Sequence, residues 1–140
     1  MKPLDLGGLA MVENPYLNKV ARVFHNSEII FEEGSCGDEM FIVHSGAVEL
    51  VKRSMESEMV IATINPGEFF GEMALVDNAP RSVSAIAGED QTRLLVLDRD
   101  KFLFLVSHQP AFALTIMHIL CQRIRAMNER ISRLECESLK

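Results

Sequence analysis

A chain of 140 residues with 48% hydrophobic side chains is long enough to bury one core and short for two domains. Its formal net charge of −6 argues against a surface built to hold nucleic acid. That charge is uneven, with 8 basic and 17 acidic side chains in residues 1–100 against 6 basic and 3 acidic in residues 101–140.

Residues 1–14 are weakly patterned, with Gly7-Gly8 and Asn14-Pro15, and read as a loose arm or a frayed helix. Tyr16, Leu17, Val20, Val23 and Phe24 fall at helical spacing, which predicts a short N-terminal helix closing near Asn26. From Glu28 to Asp98 the pattern changes to short β-like runs: Ile29 to Phe31, Met40 to Val43, Val48 to Val51, Met59 to Ile64, Ser82 to Ala87 and Leu94 to Leu97. Gly34, Gly37, Gly46, Gly67 and Gly88 punctuate them at the spacing of a sandwich or barrel. Val60, Ala62 and Ile64 alternate with Met59, Ile61 and Thr63, so both faces of that strand are expected to be buried. A small closed roll accounts for this better than an open sheet does.

Asp98 is placed to N-cap a helix through Phe102, Leu105 and Val106. Pro110, after Ser107-His108-Gln109, suits the first position of a second helix, which is expected to run to about Glu137. A heptad is readable inside it, with Met117, Ile124 and Ile131 at a and Leu120, Met127 and Leu134 at d. Arg130 at g and Glu135 at e are placed for an interhelical pair in a parallel dimer, while packing of the same face on the chain's own β-roll is the plainer alternative. The longest apolar stretch in this third, Ala111 to Cys121, is interrupted by Thr115 and His118 and is too short and polar to span a membrane. Cys36, Cys121 and Cys136 are an odd set without paired spacing, which fits a reducing, cytoplasmic setting. No basic region precedes an apolar run at the N-terminus, so no signal peptide is expected.

The most informative stretch is Phe70-Gly71-Glu72-Met73-Ala74-Leu75, followed by Pro80-Arg81-Ser82. A phosphate needs amide donors, a cationic fork and a hydroxyl, and a ribose needs an acceptor for its 2′-OH. A glycine turn entering a helical turn offers free amides, Arg81 can grip two phosphate oxygens at once, and Glu72 and Ser82 supply the acceptor and the hydroxyl. In a strongly acidic stretch, Arg81 suits one small anion rather than a polyanion. The order F-G-E-x-A-L…P-R-S resembles the phosphate-binding cassette of cyclic nucleotide-binding domains. Ile30-Phe31-Glu32-Glu33-Gly34, Gly37-Asp38-Glu39-Met40-Phe41-Ile42-Val43 and Ser45-Gly46-Ala47-Val48 resemble the opening strands and turns of the same family, and Asn65-Pro66-Gly67-Glu68-Phe69-Phe70 leads into the cassette as the family does. The resemblance covers residues 25–137 and is strongest to the sensor half of catabolite-activator-type regulators and to cyclic nucleotide-gated proteins.

That resemblance implies a mainly β fold with flanking helices: an eight-stranded jelly-roll β-barrel, a short N-terminal helix, a short cassette helix and a long C-terminal helix. Residues 1–140 would form one domain, with an arm or helix over 1–26, the β-roll over 27–97 with its cassette at 70–82, and helices over 98–140. Glu72 would accept the ribose 2′-OH, Arg81 would pair with the cyclic phosphate, and the Ser82 hydroxyl and amides near Gly71, Ala74 and Ser82 would complete the cradle. Val83 departs from the family's usual Ala after Arg-Ser, and a small Ala85 offsets its volume. Leu50, Ala62 and Ile64 are the candidates to lie against the base, unless they are ordinary core. Where catabolite-activator-type proteins carry a Thr-Ser pair that reads adenine, this chain has Met127 and Asn128. Asn128 can offer a donor and an acceptor to a base edge, or simply be a solvated amide.

Cyclic AMP is the favoured ligand, with cyclic GMP second, and no cofactor, metal or catalysis is expected. The expected function is a regulatory module that reports occupancy through its C-terminal helix to a partner or output domain, as a homodimer through residues 110–137, without binding DNA itself. A transcription factor of this kind would continue past Lys140 into a helix-turn-helix domain, so the chain reads as a sensor fragment or a stand-alone module. The alternative is a degenerate jelly roll that serves only protein–protein contact. A cupin-type enzyme would need clustered His ligands, and His25, His44, His108 and His118 lack that spacing. A cubane-cluster sensor would need four Cys ligands, and there are three.

Overall fold

The computed structural model describes residues 21–138. Eight strands and three helices follow in the order β1 (Ala21–Phe24), β2 (Ile29–Phe31), β3 (Glu39–Ser45), β4 (Val48–Arg53), β5 (Glu58–Ile64), β6 (Phe69–Phe70), α1 (Met73–Asp77), β7 (Ser84–Ala87), β8 (Thr92–Asp98), α2 (Arg99–His108) and α3 (Pro110–Ser138). The chain divides into two compact units, Met1–Phe104 and Leu105–Lys140.

The strands of the first unit form two antiparallel sheets of four, ordered β1-β8-β3-β6 and β2-β7-β4-β5. Among the described residues the ladders leave two separate sheets and do not close into one hydrogen-bonded barrel. Their shared core is Phe41 and Val43 of β3, Val48 of β4, Ile64 of β5, Phe70 of β6, Ala85 of β7, and Leu94 and Val96 of β8. The spacing of two between Phe41 and Val43, and between Leu94 and Val96, is the strand period that sends alternate side chains to one face. Each large apolar side chain buried there contributes about 1.5–3 kcal/mol relative to leaving it in water.

Two expectations fail here. The predicted N-terminal helix does not extend through Val23 and Phe24: residues 21–24 are β1, paired with β8 from Ala21↔Leu95 to Phe24↔Thr92. Residues 16–20 of that expected helix lie outside the described residues. An apolar spacing that suits a helix also suits a short strand, and the ladder offered by β8 decides between them. The second failure is β5, expected to be buried on both faces. Met59, Val60 and Ile61 are exposed while Ile64 at the far end of the strand is buried, because among the described residues no layer covers the first part of β5, an edge strand paired with β4.

The helix ends follow their local chemistry. Asp98 caps α2, its Oδ1 accepting the Lys101 amide at 2.8 Å. Pro110 opens α3, where its missing N–H costs no intrahelical bond. Within the second unit Leu105, Phe112, Thr115 and Ile116 are buried, whereas the heptad residues Met117, Ile124, Met127, Ile131 and Leu134 are all more than half exposed. Leu120 is partly buried. Among the described residues no single helix is long and apolar enough to cross a membrane.

Candidate functional site

The cassette is built on the two-residue strand β6, whose Phe70 and Phe69 pair with Phe41 and Ile42 of β3. The backbone then turns through Gly71 at φ +80°, a conformation that glycine adopts without steric cost. Glu72 is the N-cap residue of α1, without a side-chain capping bond. The helix runs five residues and ends at Asn78, which is left-handed at φ 54°. Asp77 Oδ1 accepts the Ala79 amide at 3.0 Å and shapes the turn toward Pro80 and Arg81.

Arg81 is the centre of the site. It is 7% exposed, an unusual burial for a cation. Its Nη1 donates to the Gly71 carbonyl at 3.0 Å and its Nη2 to the Glu39 carbonyl at 2.8 Å, so the fork joins the cassette to the start of β3. The guanidinium carbon lies 4.2 Å from the centroid of the Phe31 ring and 5.8 Å from that of Phe41, a cation–π seat. Phe31, Phe41 and Phe70 also pack on one another, with ring centroids 5.1 to 5.9 Å apart. The main chain of Arg81 is pinned too: its amide donates to the Ser35 carbonyl at 2.9 Å, and its carbonyl accepts the Gly34 amide at 2.7 Å.

Two glycines make room for this side chain. A Cβ on Gly37 would stand 2.5 Å from Arg81 Nη2, and one on Gly71 would stand 2.9 Å from Nη1. The electrostatics are those of a desolvated cation in an acidic neighbourhood. Burial pulls the Arg81 pKa down, while the nearby carboxylates of Glu39, Asp38 and Glu72 act to raise it. Arg81 makes no ion pair among the described residues. A buried charge without a direct ion pair is costly, and two of its five N–H groups are used on carbonyls. The arrangement is a desolvated cation held by two carbonyls and an aromatic face.

The other expected residues are distributed around this centre. Gly71 touches it directly, Glu72 is half-buried beside Gly71, Ala74 is buried in the first turn of α1, and Ser82 is exposed. Val83 is partly buried between Ser82 and β7. Leu50 pairs with Ala62 and with Ala85, and both Leu50 and Ala62 pack half-buried against the core cluster to which Phe41 and Phe70 belong. Ile64 is 5% exposed and is a member of that core. Asn128 is exposed on α3, in the second unit. Among the described residues no group of three His, Cys, Asp or Glu is placed to hold a metal ion.

Sequence reasoning missed the aromatic seat. Phe31 and Gly37 stand in motifs that signalled the family, but nothing local in them points to Arg81, which lies 44 or more residues away. It also missed Lys52, whose Nζ donates to the Ser82 carbonyl at 3.0 Å.

The family profile described as cyclic nucleotide-binding domain matches residues 21–109. The chain is 35% identical over 120 residues to the cyclic AMP receptor protein of Thermus thermophilus, covering 85% of this chain and 55% of that protein. It is 28% identical over 110 residues to a CRP-like cAMP-activated global transcriptional regulator of Mycobacterium tuberculosis, covering 78% of this chain and 49% of that one. The chain thus spans about half the length of these curated relatives. Its fold superposes on the crystal structure of the Thermus thermophilus catabolite activator protein with a TM-score of 0.74 at 32% identity, covering 91% of this chain and 62% of that one. With the profile spanning the strands, the cassette and Arg81, the chain belongs to the cyclic nucleotide-binding domain family.

Proposed function

We propose that this chain binds a cyclic mononucleotide, cyclic AMP in the first place, and acts as a regulatory module rather than as a catalyst. The observation that carries this is Arg81: a buried cation on an aromatic seat, bonded only to carbonyls. Its fork takes the cyclic phosphate. The Ser82 hydroxyl and the amides of Gly71, Ala74 and Ser82 add donors, and Glu72 accepts from the ribose 2′-OH. Leu50 and Ala62, half-buried, are better placed than Ile64 to meet a base, because Ile64 is already committed to the core. Val83 follows Ser82 and is the further candidate contact from this segment. The names of the Thermus and Mycobacterium relatives support cyclic AMP over cyclic GMP. We read the two sheets as the halves of a jelly roll.

Output is proposed to run through α3. Its exposed apolar stripe from Met117 to Leu134 has the spacing of a coiled-coil seam, and a second copy of this chain is the partner that a self-complementary stripe fits. A thermal-shift panel with cyclic AMP, cyclic GMP and cyclic di-GMP tests the ligand. A ligand at a hundred times its dissociation constant stabilises by about 2.7 kcal/mol, which is readily seen. No shift and no calorimetric heat with any cyclic mononucleotide at millimolar concentration would overturn the reading.

The close wall at Gly37 adds a sharper expectation. Gly37→Ala places a Cβ 2.5 Å from Arg81 Nη2, 2.9 Å from its Nε and 3.0 Å from its Cζ, so the whole buried guanidinium must shift from its carbonyl partners and its aromatic seat. Affinity should therefore fall by about tenfold, near 1.4 kcal/mol, and the melting temperature without ligand should fall as well, because a displaced fork leaves the Glu39 carbonyl without its donor. Titration calorimetry and a melting curve on the same sample check both halves.

A further inference from the structure

Ser82 is held by more than its place in the cassette. Lys52, near the end of β4, pairs with Glu33 at 2.7 Å while the same Nζ donates to the Ser82 carbonyl at 3.0 Å. Glu33 is itself secured. Its Oε2 accepts the Arg53 amide at 3.4 Å, and its own amide donates to Ser84 Oγ at 2.9 Å. Those hydrogen bonds from Lys52 and Arg53 keep the Glu33 carboxyl below the usual carboxylate range. In the β4–β7 ladder Val51 pairs with Ser84, which brings Lys52 level with Val83.

The Lys52 and Glu33 side chains are 52% and 29% exposed, and an ion pair so open to water adds little stability. Its consequence is geometric. A trans peptide sets its N–H antiparallel to its C=O. A Ser82 carbonyl drawn to Lys52 therefore aims the Val83 amide the opposite way. An ammonium on that carbonyl also polarises the peptide and strengthens its N–H as a donor. The Ser82 hydroxyl has no hydrogen bond of its own among the described residues.

We propose that Lys52, set by Glu33, is a positioning residue for the cyclic phosphate: it fixes the Ser82–Val83 peptide so that the Ser82 hydroxyl and the Val83 amide are presented to the anion held by Arg81. This rests on the nucleotide-binding reading of the site. Lys52 does not touch the ligand and acts through Ser82. The pair is a clasp between the β2–β3 loop, the end of β4 and the exit of the cassette.

The test uses the full chain and titration calorimetry with cyclic AMP. Lys52→Met should weaken binding tenfold or more, and Glu33→Gln, which leaves the amine unanchored, by about threefold. Lys52→Arg keeps a cationic donor at the same place and should recover binding to within threefold of the unmodified protein. Melting temperatures without ligand should be nearly the same for all of them, since the pair is solvated. Binding by Lys52→Met within twofold of the unmodified chain would overturn the clasp alone, as would a loss in Lys52→Arg equal to that in Lys52→Met. Should Lys52→Met not fold, unchanged affinity in Glu33→Gln overturns it instead. No binding by the unmodified chain would remove the nucleotide reading, and the clasp with it.

Discussion

Replacing Arg81 with alanine is expected to weaken cyclic AMP binding by about 2–5 kcal/mol, the range for stripping one partner from a desolvated charge pair. That is a loss of roughly 30-fold to several thousandfold. The phosphate would lose its counter-charge in a site where Asp38, Glu39 and Glu72 already bring negative charge close. Stability without ligand should also respond, through two opposing effects. The Gly71 and Glu39 carbonyls lose their donors, at about 1–3 kcal/mol for each group left unsatisfied, but removing a buried, unpaired cation offsets part of this. Arg81→Lys should fall between, because one ammonium cannot span two carbonyls and still grip two phosphate oxygens. Titration calorimetry alongside denaturant melts separates the two effects. An alanine variant that binds within threefold of the unmodified chain would contradict the proposed role of Arg81.

The second large effect is expected on the helix seam. Ile131 is 54% exposed in the single chain and occupies an a position, so a parallel dimer would set it against its own copy. Ile131→Asp would bury two like charges face to face, each costing roughly 3–5 kcal/mol when left unpaired. The dimer should then dissociate at micromolar concentration, as read by sedimentation. If occupancy is transmitted through α3, ligand affinity should change as well, although Ile131 is not proposed to touch the nucleotide. A ligand shifts the helix only by binding one of its arrangements more tightly than the other, and a coupling of about 1–3 kcal/mol is typical. A monomer for the unmodified chain, both empty and saturated with cyclic AMP, would reject the dimer and this route of coupling together.

Much of the site was legible before any fold was known, because the cassette is local. Gly71, Glu72, Arg81 and Ser82 lie within a dozen residues, and each residue type answers one chemical need of a ribose or a phosphate. The helix starts were legible for the same reason: Asp98 caps an amide three residues on, and Pro110 opens a helix by its own fixed φ. Six of the strands stood out by their apolar runs. The two-residue β6 did not, since a strand that short is defined by its partner, and β1 did not because its apolar spacing also suits a helix. Phe69 and Phe70 become a strand only through β3, and residues 21–24 only through β8.

What the tertiary structure alone decided is the state of Arg81. Its bond to Glu39 crosses 42 positions in the chain and its seat on Phe31 crosses 50, and the opening beside Gly37 belongs to a third segment. No local pattern encodes such distances, because strand pairing and loop packing set them after collapse. β5 makes the same point from the other side, since its apolar residues announced a strand but only the packing around it left Met59, Val60 and Ile61 exposed. The amino-acid sequence by itself determined which groups are available to a cyclic phosphate. Burial, which strips water from the guanidinium and leaves its charge unpaired, was decided by the fold, and that desolvation makes Arg81 the group expected to govern affinity.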